Sequence, residues 1–385
     1  MGMPRTSVES GSLIRESWAE LSRARPGLRQ RDAAELLGVS EGALVAGRVG
    51  DGVCRLRPDW PLLLRTLAGL GPVKTITRNA WAVHETVGVY EKVSFVGNIA
   101  LVQSEGLDLR LLLDRWKSGF VVSDRTAKGL RHSLQFFDEN GEAVHKIYPE
   151  GDVDLPTFTA LLSRFACTGG PGAETATSTA SLPAEVAGKV GEEAPGRLPP
   201  AKVQMEENTL LRRVEDVPAG VREAMISDWS ALQDTHDFGA MLARHRLDRA
   251  TAMALAEGVH TTPLGRDRLG DILERFRDAT VPVMVFVGNA GAVQIHTGPI
   301  GTVKRLGSWM NILDPEFNLH VLEDGIASLW AVNKPTSDGD VHSIEAYATD
   351  GSEIAILYGS RKPGRPEAGA WRDAVDGIRR ELVAS

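Results

Sequence analysis

The sequence predicts an α+β fold made of two tandem structural repeats, each half a large antiparallel β-sheet meander packed with helices. Two observations predict it. The sequence matches itself at a fixed offset, and each copy runs from a helical stretch into a train of short strands. Asn79-Ala80-Trp81-Ala82-Val83 returns 210 positions later (79 to 289) as Asn289-Ala290-Gly291-Ala292-Val293. At the same offset Pro72-Val73 matches Pro282-Val283, Gly88 matches Gly298, Val93 matches Val303, Gly97 matches Gly307, Leu109 matches Leu319, Gly141 matches Gly351 and Tyr148 matches Tyr358. Chance scatters identities, but it does not keep glycine, proline and asparagine in register over so long a span.

Each copy opens on apolar residues at helical spacing, Ala33, Leu36 and Leu37 in the first and Phe238, Met241 and Leu242 in the second. Short β-rich segments follow at 281–286, 292–296, 326–332, 343–348 and 354–358, parted by turn signals such as Asp338-Gly339 and Asp350-Gly351. Strands this close, with no helices between most of them, imply an antiparallel meander. Thr168 to Ala201 is rich in Gly, Ala, Thr, Glu and Pro without apolar periodicity, so the expected organisation is repeat 1–166, flexible linker 167–203 and repeat 204–385.

Composition narrows the function classes. At 385 residues and 42% hydrophobic content, two ordinary cores are affordable. The expected setting is cytoplasmic: the first residues lack the apolar run of a signal peptide, and no window reaches about eighteen uninterrupted apolar residues, so no membrane span is expected. Only Cys54 and Cys167 occur, with no paired spacing, which supports neither a disulfide framework nor a thiolate zinc site. A net charge of -8 argues against a nucleic-acid partner, which needs cations for phosphates.

Two motifs look chemical and are read otherwise. Gly38-Val39-Ser40-Glu41-Gly42 fits the G-x-S-x-G pattern of a hydrolase elbow, but that chemistry needs a strand before the serine. Its flanks are helical, so Ser40 is read as a helix N-cap. The same stretch resembles a helix-turn-helix, against which stand the acidic balance and a second helix with few groups to read base edges. No catalytic residue is assigned.

Asp234-Thr235-His236-Asp237-Phe238 reads as a helix start, with Thr235 or Asp234 as cap and His236 in the first turn at the edge of the core. Asp248 caps the next helix and leaves Arg249 at its start, where the macrodipole disfavours a cation and an external anion would relieve it. The helical pair aligns at an offset of 208, with Asp248 opposite Ser40, His236 opposite Leu28 and Arg249 opposite Glu41; at the sheet region's offset of 210, Lys334 falls opposite Asp124 and Arg361 opposite Gly151, while Tyr358 keeps Tyr148. One copy has a histidine among several cations and the other has not, as a duplicated scaffold with one ligand site would.

With these residues the chain resembles the HemS/ChuS/PhuS family of bacterial haem-utilisation proteins. The resemblance rests on Thr77-Arg78-Asn79, Ala82-Val83-His84-Glu85, Leu107-Asp108-Leu109-Arg110-Leu111 with Trp116, Asp234 to Phe238, Gln294 to Pro299, Leu313-Asp314-Pro315, Phe317-Asn318-Leu319-His320 and Arg361-Lys362-Pro363-Gly364. It implies haem (iron protoporphyrin IX) as the ligand, His236 as the iron ligand, and Arg249, Lys334, Tyr358 and Arg361 around the porphyrin. It implies a haem carrier that delivers its cargo for degradation or storage, with a haem oxygenase or a haem ABC importer as partner, or else an enzyme that cleaves the porphyrin with a reductant and oxygen or peroxide. Where the family commonly has bulkier residues or an arginine, this chain has Gly239-Ala240 and Asn333, and His84 and His296 lie on β segments.

Overall fold

The computed structural model describes residues 7–126, 129–151, 158, 163–166, 214–361 and 364–381. The expected linker at 167–203 lies outside them. The described chain divides into two compact units, and each takes a short piece of the other's sequence: Arg78–Glu85 belong to the second unit and Asn289–Val293 to the first.

In the first repeat, helices α1 (Ser7–Ala24), α2 (Gln30–Leu37), α3 (Glu41–Gly47) and α4 (Trp60–Thr66) accompany strands β1 (Val53–Arg55), β2 (Val73–Arg78), β3 (Ala82–Gly88, most of which lies in the second unit), β4 (Val93–Val96), β5 (Ile99–Ser104), β6 (Leu107–Leu112), β7 (Ser118–Thr126), β8 (Gly129–Phe137) and β9 (Ala143–Pro149). The strands run β1-β7-β8-β9-β2 and β4-β5-β6, antiparallel at each of these steps. Ser40 is the cap of α3, its Oγ accepting from the Ala43 amide at 3.2 Å. The element before it is the helix α2, so the elbow motif is a cap. Helix α3 buries Glu41, Gly42, Leu44, Val45 and Gly47, which leaves it no free face for a DNA groove. Gly141, at φ +76°, turns β8 into β9 where a Cβ would stand 2.2 Å from the Ser40 hydroxyl, so the turn and the cap fix each other's residue types.

The second unit repeats the plan: α5 (Ala219–Ser230), α6 (Asp237–His245), α7 (Arg249–Leu255), β10 (Thr261–Leu264), α8 (Leu269–Asp278), β11 (Val283–Gly288), β12 (Ala292–Gly298), β13 (Val303–Leu306), β14 (Trp309–Leu313), β15 (Phe317–Leu322), β16 (Ser328–Lys334), β17 (Val341–Tyr347), β18 (Glu353–Gly359) and α9 (Gly369–Glu381). Its order is β10-β16-β17-β18-β11 with β13-β14-β15. Strands β2, β3, β4, β6 and β9 recur at 210 residues in β11, β12, β13, β15 and β18, and even the bulge at Phe136/Phe137 recurs at Ala346/Tyr347. The α+β tandem repeat is thus a property of the backbone. One apolar cluster packs α8 and α9 residues Ile272, Phe276, Trp371 and Val375 with sheet residues such as Val283 and Leu357. Another packs α5, α6 and α7 through Met225, Trp229, Phe238, Met241 and Met253 with Trp330, Val332 and Tyr347. No described helix is long and apolar enough to cross a membrane.

Candidate functional site

The site grows out of the second unit, where α6 and α7 approach β16, β17 and β18. On β17 the alternate residues Ser343, Glu345 and Tyr347 point the same way, as a period of two requires, and every residue of the strand is buried. A buried carboxylate needs partners, and Glu345 has four. Lys334, the last residue of β16, pairs with it directly, both side chains being almost completely buried. Ser343 Oγ donates to it at 2.7 Å and Tyr347 Oη donates to its other oxygen. Arg249 Nη1 stands 3.7 Å away. Lys334 Nζ also donates to Ser343 Oγ at 3.3 Å and to Tyr358 Oη at 3.2 Å.

Charge follows from this geometry. Burial pushes Glu345 up, but Lys334 and Arg249 outweigh it and hold the carboxyl down at about 2. Burial pushes Lys334 down, and Glu345 and Tyr358 reverse that to a raised pKa. Arg249 likewise overcomes burial through Glu345, Tyr347 and Glu353. The cluster is ionised across the physiological range.

Asp248 caps α7, its Oδ1 accepting from the Thr251 amide at 2.8 Å, so Arg249 occupies the first turn as the sequence predicts. Its guanidinium carbon lies 5.2 Å from the Phe238 ring centre, and Lys334 Nζ lies 4.8 Å from the same ring. Phe238 is wholly buried on α6 and anchors that helix under both cations. Among the described residues, Arg249 Nη1 is a buried atom without a hydrogen-bond partner, as is Arg361 Nη1 just beyond β18.

His236 differs from its expected setting in one respect. Asp234 and Thr235 are not the cap of α6; His236 itself occupies the N-cap position, with helical dihedrals and no side-chain cap bond. Asp234 instead folds back on the histidine, accepting from its backbone amide at 2.9 Å and pairing with its Nδ1 at 2.7 Å. With Nδ1 so engaged, Nε2 is the free nitrogen, and the imidazole is 89% exposed. Asp234 is held below the ordinary carboxylate range, first by these His236 bonds and last by the charge of Arg361. Of the five residues singled out in the sequence, Arg249, Lys334 and Tyr358 gather around Glu345, His236 pairs with Asp234 at the start of α6, and Arg361 follows β18. Phe238, two residues beyond His236, joins them.

Asn333, at the departure from the family pattern, donates to Asp340 at 3.2 Å. His84 is fully buried and His296 partly so, both against Phe317, with ring centres 5.0 and 3.7 Å away. Glu345, Tyr347, Glu353 and the bond of Asp234 to His236 stand outside the sequence expectation. The repeat held a signal for two of them: Glu345 stands opposite Gln135 and Glu353 opposite Ala143, acidic in this copy alone.

The sequence model of the family described as "Haemin-degrading HemS.ChuX domain" matches residues 38–165 and 246–378. The chain is 35% identical to the hemin transport protein HemS of Yersinia enterocolitica over 97% of its own length and 99% of the relative's. It is 35% identical to the hemin transport protein HmuS of Yersinia pestis, over 94% and 95%. Its structure matches holo-PhuS, described as a heme-binding protein from Pseudomonas aeruginosa, with TM-score 0.81 and 39% identity over 97% of this chain and 99% of that one. It matches ChuS, described as an E. coli heme oxygenase, with TM-score 0.74 and 34% identity over 95% and 99%. Duplicated backbone, residue pattern and full-length similarity agree: the chain belongs to the HemS family of haemin-degrading HemS/ChuX-domain proteins.

Proposed function

We propose that the protein binds haem in its second unit through His236 and carries it in the cytoplasm to a haem-degrading or storage partner. One observation carries this reading: among the described residues, an exposed imidazole tied down at Nδ1 alone shares a unit with two buried guanidinium nitrogens that have no hydrogen-bond partner, Arg249 Nη1 and Arg361 Nη1. Haem supplies what each lacks. Its iron takes a neutral imidazole nitrogen, its propionates take charge-assisted bonds from guanidinium and ammonium groups, and its flat face suits the aromatic neighbourhood of Phe286 and Tyr358. Among the described residues no three His, Cys, Asp or Glu side chains gather for a bare ion; a lone histidine suits a metal that brings its own equatorial ligands.

Titration of the full chain with ferric haem tests the reading. A saturating one-to-one Soret change is expected for the wild type and its loss or displacement for His236→Ala; an unchanged spectrum and affinity in the variant would remove His236 as the ligand. Asp234→Ala, which frees Nδ1, is expected to weaken binding about 10- to 100-fold while leaving thermal unfolding in place, because the carboxylate orients the ligand and raises its basicity. Equal affinity would show that the Asp234 contact does not act on the metal.

A second reading, oxidative porphyrin cleavage, is supported by the exposure of His236 and by the likeness to ChuS. Tyr358 and Arg361 are the residues that would hydrogen-bond or orient a group on the haem face. Addition of a reductant in air with catalase separates the two: a stable Soret band supports the carrier, and its decay to a biliverdin-type product supports the enzyme. A haem oxygenase or an ABC importer is the class of partner that the carrier reading requires.

A further inference from the structure

We propose that Glu353 is an internal competitor for the anion-binding guanidinium of this site: it neighbours Arg249 while no ligand carboxylate is present, and yields by taking up a proton when one arrives. The proposal rests on the haem reading, since it assigns regulation to the same site.

Arg249 Nη1 lies 3.7 Å from Glu345 Oε2 and 3.8 Å from Glu353 Oε2. Both separations are too long for a hydrogen bond, and the nitrogen is buried without one. The guanidinium thus stands between two carboxylates and is satisfied by neither. The two are not equivalent. Glu345 is closed off from solvent and bonded to Lys334, Ser343 and Tyr347. Glu353, the first residue of β18, is a third exposed, and among the described residues Arg249 is its ion-pair partner. It is the carboxylate that can leave.

The repeat shows that the fold does not need it. Ala143 stands opposite Glu353, and the two pair alike across their strands, Ala143 with Phe137 and Glu353 with Tyr347, beside the same bulge. In the first unit the position of Arg249 is taken by Glu41, which pairs with Lys146. The carboxylate at 353 accompanies the cation at 249 and is absent where that cation is absent.

The charge balance gives it a task. Lys334, Arg249, Glu345 and Glu353 sum to zero when all are ionised, so a propionate arriving at Arg249 adds an uncompensated negative charge. Five titratable groups bear on Glu353 or its cation: Arg249 from α7, Lys334 from β16, Glu345 and Tyr347 from β17, and Tyr358 from its own strand. Glu345 is locked in the ionised form by its two cations, and Tyr347 is held protonated by burial. Glu353 is the group with room to respond, since burial, with help from Glu345 against Arg249, already lifts it above the ordinary glutamate range. Binding then consumes a proton, so affinity falls as pH rises, and a rise in pH or a competing acceptor favours release.

The test is a ferric-haem titration of the full chain between about pH 5.5 and 8.5 for wild type, Glu353→Gln, Glu353→Ala and His236→Ala. Haem's own ionisations contribute equally to every variant, so the difference between profiles is the readout. Wild-type Kd is expected to rise with pH more steeply than that of Glu353→Gln, by up to about tenfold per pH unit for one linked proton. Both Glu353 variants are expected to bind more tightly than wild type at the alkaline end. Wild-type binding with the same slope and affinity in both Glu353 variants would overturn the proposal and leave the haem site standing. Failure of wild type to bind, or His236→Ala binding as wild type does, would overturn the haem reading and this proposal with it.

Discussion

Glu345→Ala is expected to destabilise the protein by about 3–5 kcal/mol, because it strands a buried cation rather than deleting a contact. Lys334 is 1% exposed and has three side-chain partners, Glu345, Ser343 and Tyr358. Only Glu345 carries a countercharge. Without it, burial and the charge of Arg249 act on the ammonium against Tyr358 alone, so it must neutralise or draw water into a core lined by Phe238 and Tyr347. Tyr347 Oη also loses its acceptor. Urea unfolding followed by circular dichroism measures the loss. The double variant Glu345→Leu with Lys334→Met is the control: replacing both charges by apolar groups of similar volume is expected to recover most of the stability, while haem affinity stays low. A loss below about 1 kcal/mol in Glu345→Ala would mean that Lys334 is solvated in solution. The pH dependence has a definite sign. Glu345 is depressed in the fold, so its contribution is complete above the ordinary glutamate range and disappears as pH falls toward about 2.

Why the sequence announces Lys334 and conceals Glu345 is a matter of what covers the sheet. Polar residues alternating along a strand usually face water, and Ser343, Glu345 and Tyr347 alternate in that way. Here the same face is covered by α5, α6 and α7 through Trp229, Phe238 and Met241, so the polar stripe becomes an internal network. Covering of this kind is a long-range event that no local window contains. Local chemistry was legible by contrast: the caps at Ser40 and Asp248, the strands near 283–288, 292–298, 328–334 and 341–347, and the repeat itself. Strands β13 and β14 escaped because Val303–Leu306 is short and mostly exposed, while Trp309–Leu313 is buried nearly throughout, so neither alternates. Phe317–Leu322 does alternate cleanly, and its first four residues are also a family motif. At His236 the residue and its place at the helix start were legible. The bond from Asp234 was not, since an aspartate two residues ahead suits a cap and an imidazole partner equally well.

The second large effect is acid sensitivity set by buried neutral histidines. His84 and His145 are held at about 3 and His296 at about 4. Burial is the first cause for all three; the charge of His296 adds to it at His84, while the backbones of Val285 and Pro299 pull His84 and His296 the other way. In the unfolded chain each returns to about 6.5. Between that value and the folded one the unfolded state binds more protons, so stability is complete above pH 6.5 and is lost as pH falls. Near pH 5 each fully buried group contributes a slope of about 1.4 kcal/mol per pH unit, and His296, being half-buried, contributes less. His145 holds hydrogen bonds to Thr77 at 3.0 Å and Tyr90 at 2.9 Å, so removing it carries a separate cost. His84 is the cleaner probe: it is fully buried, and neither of its ring nitrogens makes a hydrogen bond of ordinary geometry. His84→Leu is therefore expected to change stability little at pH 7, to raise it relative to wild type at pH 5, and to flatten the acid limb by one proton. Urea midpoints at the two pH values decide the matter. An acid limb as steep in His84→Leu as in wild type would mean that His84 is already protonated and solvated in the folded protein, and the packing of β3 against Phe317 would then have to open to admit water.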